Sequence, residues 1–209
     1  MYPHVILSCA MSIDGKIGKK GEQVLLSNRQ DLDRVHNLRG NADAIMVGIN
    51  TVITDNPQLT ARQGGKNPVR VIVDSNARLP VKANVLTEPG EVILAVSNGA
   101  SRDRLITLKK NHPGLKMVAT GDRMVNLKNL LMNLYERGIK VVLLEGGGAL
   151  NHSMLEGGFI NEMYITLVPV VLGEGIALFN GKAPVSAKPH LEGIIQHGDQ
   201  VVLHYSVPR

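Results

Sequence analysis

Short apolar runs alternate with amphipathic segments along most of the chain. The apolar runs predict eight strands, at residues 5–9, 44–47, 69–74, 92–96, 116–119, 141–144, 163–171 and 201–207. Strands that alternate with helices indicate an α/β domain built on a mainly parallel sheet. The last two strands follow one another without a convincing helix between them, which predicts an antiparallel edge.

Two of the segments between strands carry helix-boundary signals. Ser27 and Gln30 fit a capping box that begins one helix, while Asn126 and Gly138 fit the start and the stop of another. The apolar positions behind each start recur on one helical face: Leu32, Val35 and Leu38 in the first helix, and Leu127, Leu130, Leu131 and Leu134 in the second. No repeat or long linker interrupts the pattern, so residues 1–209 are predicted to form one domain.

The sequence LLEGGGAL, residues 143–150, places three glycines between a predicted strand and a predicted helix. Consecutive glycines lose much conformational freedom on folding, so a structured domain needs a reason to keep them. A strand that passes through glycine into a helix leaves backbone N–H groups facing outward, where they can bind an anion. The alternative is a merely tight turn.

A second strand–glycine junction occurs at Gly48, followed by Asn50 or Thr51 as a helix cap and by turn residues at 55–57. Two such junctions in one sheet could face the same crevice beyond the carboxyl ends of the strands. Together they predict a phosphate or dinucleotide site, although neither matches the G-x-G-x-x-G fingerprint or the P-loop.

Three basic residues are candidates for anion contacts. Lys16 follows the turn pair Asp14-Gly15, where it could neutralise a phosphate or donate a proton, or could simply be solvated. Arg39 and Arg62 could supply the bidentate donors that a phosphorylated substrate requires, or could be ordinary surface residues.

Composition narrows the classes of protein and partner. The net charge is +5, but the basic residues are scattered, aromatic residues make up 3% and tryptophan is absent, which disfavours a nucleic-acid surface. Cys9 is the single cysteine and the histidines show no metal-ligand spacing, so no disulfide within the chain and no metal site are expected. The longest apolar stretch near the C-terminal side is short and interrupted by Pro169, and no signal-peptide pattern is present, so a cytoplasmic location and no membrane contact are expected.

Four stretches, taken in order, resemble the riboflavin-biosynthesis reductase family: SCAMSIDGKI, LRGNADAIMVGINTVITDNPQLTAR, NPVRVIVDSNARLP and VVLLEGGGALNHSMLEGGFINE. The family includes the C-terminal domain of the bifunctional bacterial deaminase-reductase and the stand-alone archaeal and fungal reductases. The most specific stretch is TVITDNPQLT at residues 51–60, supported by the strand–EGGG–helix block.

The resemblance implies a dihydrofolate-reductase-like three-layer α/β fold, with a mixed, mainly parallel sheet and helices on both faces. It also implies a homodimer that uses NADPH, with NADH left open, to reduce a phosphorylated ribosylaminopyrimidine to its ribityl form. The residues it assigns to the cofactor are Ala10, Leu25, Thr51, Asp55, Ser75, Gly147, Gly148, Ala149, Leu150, Asn151, His152 and Ser153. Those assigned to the substrate are Gln23, Arg39, Leu59, Arg62 and Glu145, with Glu145 and Lys16 as catalytic candidates.

The absence of a zinc-deaminase motif from the sequence indicates a single activity. In the stand-alone branch of the family reduction precedes deamination, which favours the diaminopyrimidine over the deaminated aminouracil. Two alternatives stay open: reduction of the deaminated compound, and a non-catalytic nucleotide- or RNA-binding module.

Overall fold

A computed structural model describes residues 1–61, 67–183 and 186–208. In chain order the strands are β1 (His4–Ser12), β2 (Lys16–Gly18), β3 (Ala44–Gly48), β4 (Val69–Val73), β5 (Val92–Val96), β6 (Lys116–Ala119), β7 (Val141–Leu144), β8 (Glu162–Val168), β9 (Ile176–Ala177), β10 (His190–His197) and β11 (Gln200–Ser206). The α-helices are α1 (Arg29–Asn41), α2 (Ile49–Asp55), α3 (Arg102–Asn111), α4 (Leu127–Glu136) and α5 (Gly148–Glu156).

The main sheet has the strand order β10-β11-β8-β1-β7-β3-β4-β5-β6. All pairs from β8 through β1 to β6 are parallel, whereas β8 with β11 and β11 with β10 are antiparallel. The prediction of a mainly parallel sheet with an antiparallel edge is therefore confirmed. This order sets the carboxyl ends of β1, β7, β3 and β4 side by side, and parallel α/β sheets bind their ligands beyond such ends.

Helices cover both faces of the sheet, and β3 shows how its sequence serves two cores. Ala44 and Met46 point into a cluster that includes apolar residues of α4 and α5. Ile45 and Val47 point the other way, into a cluster that includes residues of α2 and α3. All four side chains are fully buried, which explains why this strand is continuously apolar rather than alternating. The arrangement is the expected three-layer fold.

All eight predicted strands are present, and three further strands were missed. The short β2 and β9 pair only with each other, and β10 is the outer strand of the sheet. Most β10 residues are exposed, so the strand carries no alternation of buried and exposed positions that the sequence could reveal. The predicted strand 163–171 instead ends at Val168, directly before Pro169, which has no N–H for the ladder.

The capping prediction was right for α4 and wrong for α1. Asn126 caps α4 by accepting a hydrogen bond from the Asn129 N–H. In α1 the cap is Asn28, whose Oδ1 accepts from the Asp31 N–H at 2.9 Å. Ser27 lies one residue further out, and its hydroxyl donates to the Asp31 carboxylate at 2.6 Å. The N-cap of α1 is therefore Asn28 and not the predicted Ser27.

A buried carboxylate fixes α1 against the sheet. Asp31 is fully buried and its Oδ1 accepts from Arg34 Nη2 at 2.8 Å and from the Thr166 hydroxyl of β8 at 2.7 Å. Pairing with Arg34 and hydrogen bonding to Thr166 offset the cost of burying this carboxylate. This anchor determines the position of α1 and therefore of Arg39 in its last turn.

The predicted turn at Asp14-Gly15 is present and also fixes a distant segment. Gly15 has a φ of 76°, which glycine adopts without strain. The Asp14 carboxylate accepts hydrogen bonds from the backbone N–H groups of Leu172 at 3.0 Å and Gly173 at 2.8 Å. The turn after β1 is thereby tied to the segment that leads into β9.

These contacts predict a measurable pH dependence of stability. Hydrogen bonds from Ser12 and from the N–H groups of Leu172 and Gly173 lower the pKa of Asp14 from 3.8 to about 2. A carboxyl group with a lowered pKa in the folded state contributes stability above its unfolded pKa, and that contribution disappears as the pH falls through the folded pKa. We expect urea unfolding between about pH 5 and pH 2 to show a shallower loss of stability in Asp14→Asn than in the wild type. Identical slopes would contradict this role.

Candidate active site

A cleft of about 620 Å³ lies at the carboxyl ends of β7, β3 and β4. Its floor is formed by the glycine junctions at Gly48 and at Gly147-Gly148, and one wall by α2. The residues that follow β4 and the segment 123–125 close one end, while β2 and β9 contribute to the other side. The predicted crevice beyond the strand ends is therefore a feature of the structure.

The two strand–glycine–helix junctions are in direct contact. The Gly48 N–H donates to the Gly146 carbonyl oxygen at 2.7 Å, which joins the end of β3 to the loop after β7. Gly48 and Gly147 are the N-terminal cap residues of α2 and α5, and neither helix has a side-chain cap. Asn50 and Thr51 were predicted to cap α2, but they lie inside its first turn. Two helix starts with uncapped N–H groups thus border one cleft.

The fold requires glycine at two of the three consecutive positions. Gly146 has a φ of 94°, a conformation that residues with a side chain rarely adopt. Gly148 lies so close to the Ala177 carbonyl oxygen that any Cβ would collide with backbone. Gly147 has an ordinary φ of −76°, and a Cβ there would meet only the Thr51 hydroxyl, at 3.1 Å. Only Gly147 is left without a requirement from the fold itself.

The space over Gly147 fits the pyrophosphate of a dinucleotide. A Cβ at this position would project into the cleft at the uncapped start of α5, where a phosphate would need to approach the backbone closely. The first-turn N–H groups of α5 are the donors that such an anion requires. The residues present are therefore compatible with a nicotinamide dinucleotide.

Most of the residues predicted for the cofactor line this cleft. They are Thr51, Asp55, Ser75, Gly147, Gly148, Ala149, Leu150 and Ser153. Burial raises the pKa of Asp55 above its usual value, because part of its carboxyl group is withdrawn from water in the cleft wall. Ser75 joins two loops, since its hydroxyl oxygen accepts from the Val125 N–H at 3.0 Å.

The other four predicted cofactor residues lie outside the cleft lining. Asn151 and His152 are buried on the far side of α5, where Asn151 donates to the Leu178 carbonyl oxygen and His152 packs against Gly181. Ala10 is half-buried on β1, and Leu25 is 80% exposed. The helical repeat explains the positions of Asn151 and His152. A helix that presents Leu150 and Ser153 to a cleft turns the two residues between them away from it.

Beside the cleft, the predicted substrate residues Arg39 and Glu145 form a bidentate ion pair. Arg39 Nε and Nη2 donate to the two oxygens of Glu145 at 2.7 and 2.6 Å, and Nη1 donates to the Thr60 carbonyl oxygen at 3.2 Å. Burial opposes the charge on Arg39, but Glu145 raises the pKa of the guanidinium above its usual value. The predicted phosphate fork is therefore occupied by protein groups in this structure.

Cys9 of β1 completes the surroundings of this pair. Burial raises the pKa of its thiol to about 12, and the charges of Glu145 and Asp31 act in the same direction. The thiol is consequently neutral at physiological pH and supplies an uncharged wall beside the carboxylate.

The remaining predicted substrate and catalytic residues that the structure describes belong neither to the cleft lining nor to the Arg39–Glu145 pair. Leu59 is 2% exposed with a φ of 57°, so its side chain belongs to the core and only its backbone could contact a ligand. Gln23 is exposed. Lys16 lies on β2 outside the cleft lining, which begins at the next residue, Ile17. Arg62 falls outside the described residues.

Sequence reasoning missed several residues of the cleft. Arg78, Arg123 and Asn180 line it, yet each lies in a loop with no glycine junction or motif to mark it. The β2–β9 pair that brings Ile176 to the cleft is too short for a periodic signal. Only the three-dimensional arrangement brings these residues together.

The fold and the cleft define an α/β protein of the dihydrofolate-reductase type, with its ligand site at the carboxyl ends of parallel strands. The chain belongs to the RibD C-terminal domain family, which matches residues 3–203. It is an oxidoreductase of riboflavin biosynthesis.

Two relatives and one solved structure show the extent of the similarity. The chain is 44% identical over 177 residues to the 2,5-diamino-6-ribosylamino-4(3H)-pyrimidinone 5′-phosphate reductase of Methanothermobacter thermautotrophicus, covering 83% of this chain and 81% of that protein. It is 37% identical over 178 residues to the reductase of the same name from Aquifex aeolicus, covering 82% of this chain and 79% of that protein. A bifunctional deaminase/reductase from Thermotoga maritima superimposes with a TM-score of 0.84 at 29% identity, and covers 99% of this chain. The present chain spans 57% of that longer protein.

Membrane-spanning helices and metal clusters are both absent from the described residues. No helix among residues 1–61, 67–183 and 186–208 is long and apolar enough to cross a membrane. The same part of the chain contains no group of three or more histidine, cysteine or acidic side chains placed to hold a metal ion.

We predict that Thr51→Ala and Asp55→Ala raise the KM for the dinucleotide more than the KM for the pyrimidine. Both side chains border the cleft on α2, one and two turns after the Gly48 junction. Loss of a hydrogen bond to the cofactor should cost about 1–3 kcal/mol in each variant. Steady-state kinetics with each substrate varied in turn measures the effect. Unchanged dinucleotide KM in a folded variant would remove the residue from the cofactor site.

Proposed function

We propose that this chain catalyses the NADPH-dependent reduction of 2,5-diamino-6-ribosylamino-4(3H)-pyrimidinone 5′-phosphate to its ribitylamino form. The observation that carries the proposal is the position of the Arg39–Glu145 pair beside a cleft formed by two uncapped helix starts. The relatives described above, which bear the name of this reductase, support the identity of the substrate.

The proposed reduction requires that the substrate be positioned against the cofactor and that one proton be supplied to the opened ring oxygen. Opening of the ribose ring exposes C1′ as an imine or aldehyde-like carbon, and bound NADPH would supply the hydride that this carbon accepts. Glu145 is placed at the end of β7, where its carboxylate can accept hydrogen bonds from ribose hydroxyls. Lys16 remains the proposed proton donor for the opened ring oxygen. Its place on β2 would require the amine to reach into the cleft from the edge.

Two other functions are distinguished by their substrates. Reduction of the deaminated 5-amino-6-ribosylaminouracil 5′-phosphate would use the same site, because the two compounds differ only on the pyrimidine ring. A nucleotide- or RNA-binding module would need no carboxylate at the strand ends and no hydride acceptor. The paired Arg39 and Glu145 beside the cleft favour an enzyme over a binding module.

A turnover assay with both pyrimidines and both nicotinamide cofactors tests the proposal. We expect NADPH oxidation with the diaminopyrimidine to exceed that with the aminouracil, and NADPH to exceed NADH. A reversed preference between the pyrimidines would assign the chain to the alternative substrate. No oxidation with either pyrimidine, together with a mobility shift of RNA, would favour the binding module.

The proposal includes a homodimer, which the family resemblance implies, and a cytoplasmic location. The outer strand β10 supports the assembly, because its apolar residues Leu191, Ile194 and Ile195 are 43%, 63% and 45% exposed at an unpaired sheet edge. Sedimentation at micromolar protein concentration should give the mass of two chains, and a monomer mass would contradict it.

A further inference from the structure

The basic side chains of the cleft lie at two places. Lys19, Arg78 and Arg123 are the basic residues among those that line it. Lys19 belongs to the β2 side, where its backbone forms an isolated β-bridge with Glu22, an acidic residue that also lines the cleft. Arg78 and Arg123 instead belong to the loops that follow β4 and β6. A pair of arginines at one end of an oxidoreductase cleft calls for a ligand with negative charge there.

The strand order indicates which part of a dinucleotide would reach this end. The sheet runs β1-β7-β3-β4, with the Arg39–Glu145 pair at the end of β7 and the two glycine junctions at the ends of β7 and β3. With the reacting end of the cofactor toward the pair, its pyrophosphate would lie over the glycines. The adenosine end would then extend toward β4, whose carboxyl end leads directly to Ser75 and Arg78.

Ser75 brings the two arginine loops together. Its hydroxyl oxygen accepts from the Val125 N–H at 3.0 Å, and its carbonyl oxygen accepts from the Ser97 hydroxyl at 2.7 Å. Arg78 follows Ser75 by three residues and Arg123 precedes Val125 by two. Both guanidinium groups are therefore anchored to backbone that meets at this contact, and both border the cleft.

The two arginines differ in how they are held. Arg78 Nη2 donates to Asn50 Oδ1 at 3.0 Å, and its Nε lies 3.8 Å from the buried Asp74 carboxylate. Arg123 is exposed and makes no hydrogen bond or ion pair with the described part of the chain. A fixed guanidinium and an unpaired one that border the same cleft are suited to a phosphate monoester, which accepts several charge-assisted hydrogen bonds.

We propose that Arg123, together with Arg78, binds the 2′-phosphate of NADPH and thereby sets the preference for NADPH over NADH. This inference rests on the proposed function, and it names the residues that select the cofactor. NADH carries a 2′-hydroxyl at this position and would offer neither guanidinium group a phosphate to bind.

Two small nucleotides isolate the 2′-phosphate from the rest of the cofactor. Adenosine 2′,5′-bisphosphate carries this phosphate, and adenosine 5′-monophosphate lacks it. In calorimetric titrations we expect Arg123→Gln to weaken binding of the bisphosphate about 10- to 100-fold and to leave binding of the monophosphate unchanged. Arg78→Lys should act in the same direction with a smaller loss, because lysine keeps the charge but not the fork.

Arg137→Gln is the matched control. This exposed arginine lies between α4 and the start of β7, at the end of the strands opposite the cleft, and it donates to Asn133 Oδ1 at 2.7 Å. The control should bind both nucleotides as the wild type does. Wild-type affinity of Arg123→Gln for the bisphosphate, or equal losses for both nucleotides, would overturn the inference.

Turnover separates this inference from the proposed function. In Arg123→Gln the ratio of kcat/KM for NADPH to that for NADH should fall by the same factor as bisphosphate affinity. A wild-type protein that oxidises neither cofactor would refute the proposed function, even where the bisphosphate result stands. A wild-type protein that is active with both cofactors, and whose ratio is unchanged in Arg123→Gln, would refute only the inference.

Discussion

Replacing Gly147 with valine should abolish dinucleotide binding while the protein stays folded. The backbone at this position has a φ of −76°, which valine adopts without strain. A Cβ would meet only the Thr51 hydroxyl, at 3.1 Å, and that hydroxyl can rotate away. The added methyl groups would instead occupy the space over the start of α5 that a pyrophosphate bound there would require. We expect at least about a 100-fold loss of NADPH affinity in calorimetric titration.

The neighbouring glycine supplies a contrast. Gly148→Ala would drive a Cβ into the Ala177 carbonyl oxygen and should lower the melting temperature, because the 176–180 segment must move. Gly114→Val is the control for the substitution itself, since a Cβ at this glycine would meet no atom within 4 Å and the residue does not line the cleft. Gly147→Val with wild-type NADPH affinity would mean that all three glycines serve only the turn.

Breaking the Arg39–Glu145 pair should damage turnover of the pyrimidine without changing dinucleotide affinity. Side chains that are 16% and 12% exposed leave little water to replace a lost partner. Removing one member of such a pair typically costs about 3–5 kcal/mol, so Arg39→Met should be clearly destabilised as well as slow. Arg39→Lys keeps the charge but not the fork, and should cost about 1–3 kcal/mol in kcat/KM for the pyrimidine.

The substrate's phosphate group distinguishes two roles for Arg39. The geometry favours a positioning role, because its three donor nitrogens already bind Glu145 and Thr60. In that case Arg39→Lys should lose the same factor with the phosphorylated pyrimidine and with its dephosphorylated analogue. A loss confined to the phosphorylated compound would instead show that Arg39 leaves Glu145 to bind the phosphate. Glu145→Gln, which removes the partner's charge, should reproduce the loss seen with Arg39→Lys if the two residues act as a unit.

Local sequence patterns predicted most of the fold because the parallel strands are buried on both faces. Continuous apolar runs such as Ala44–Gly48, when they alternate with amphipathic helices, are typical of buried parallel strands. The edge strand β10 was not predicted, because it pairs with one neighbouring strand and most of its side chains are exposed. The α1 cap was misplaced by one residue because Ser27 and Asn28 are both good caps, and the tie between Ser27 and Asp31 is visible only in three dimensions.

Some residues of the candidate site carry a local sequence signal and others do not. The two glycine junctions carry a local signal, and the sequence placed both at the cleft. The pairing of Arg39 with Glu145 joins residues 106 positions apart, so no spacing rule could reveal that the predicted phosphate fork already has a partner. Arg78 and Arg123 lie in loops without a motif, and long-range contacts such as that between Ser75 and Val125 bring their backbones together.

Deuterium transfer from NADPH to the product tests the proposed hydride transfer to C1′. The protein would be incubated with the diaminopyrimidine and with NADPH that carries deuterium in the transferred position at nicotinamide C4, and the product would be examined by mass spectrometry and NMR. We expect one deuterium per product molecule, located at C1′ of the ribityl chain. A ribityl product without deuterium at C1′, or NADPH oxidation without any ribityl product, would contradict it.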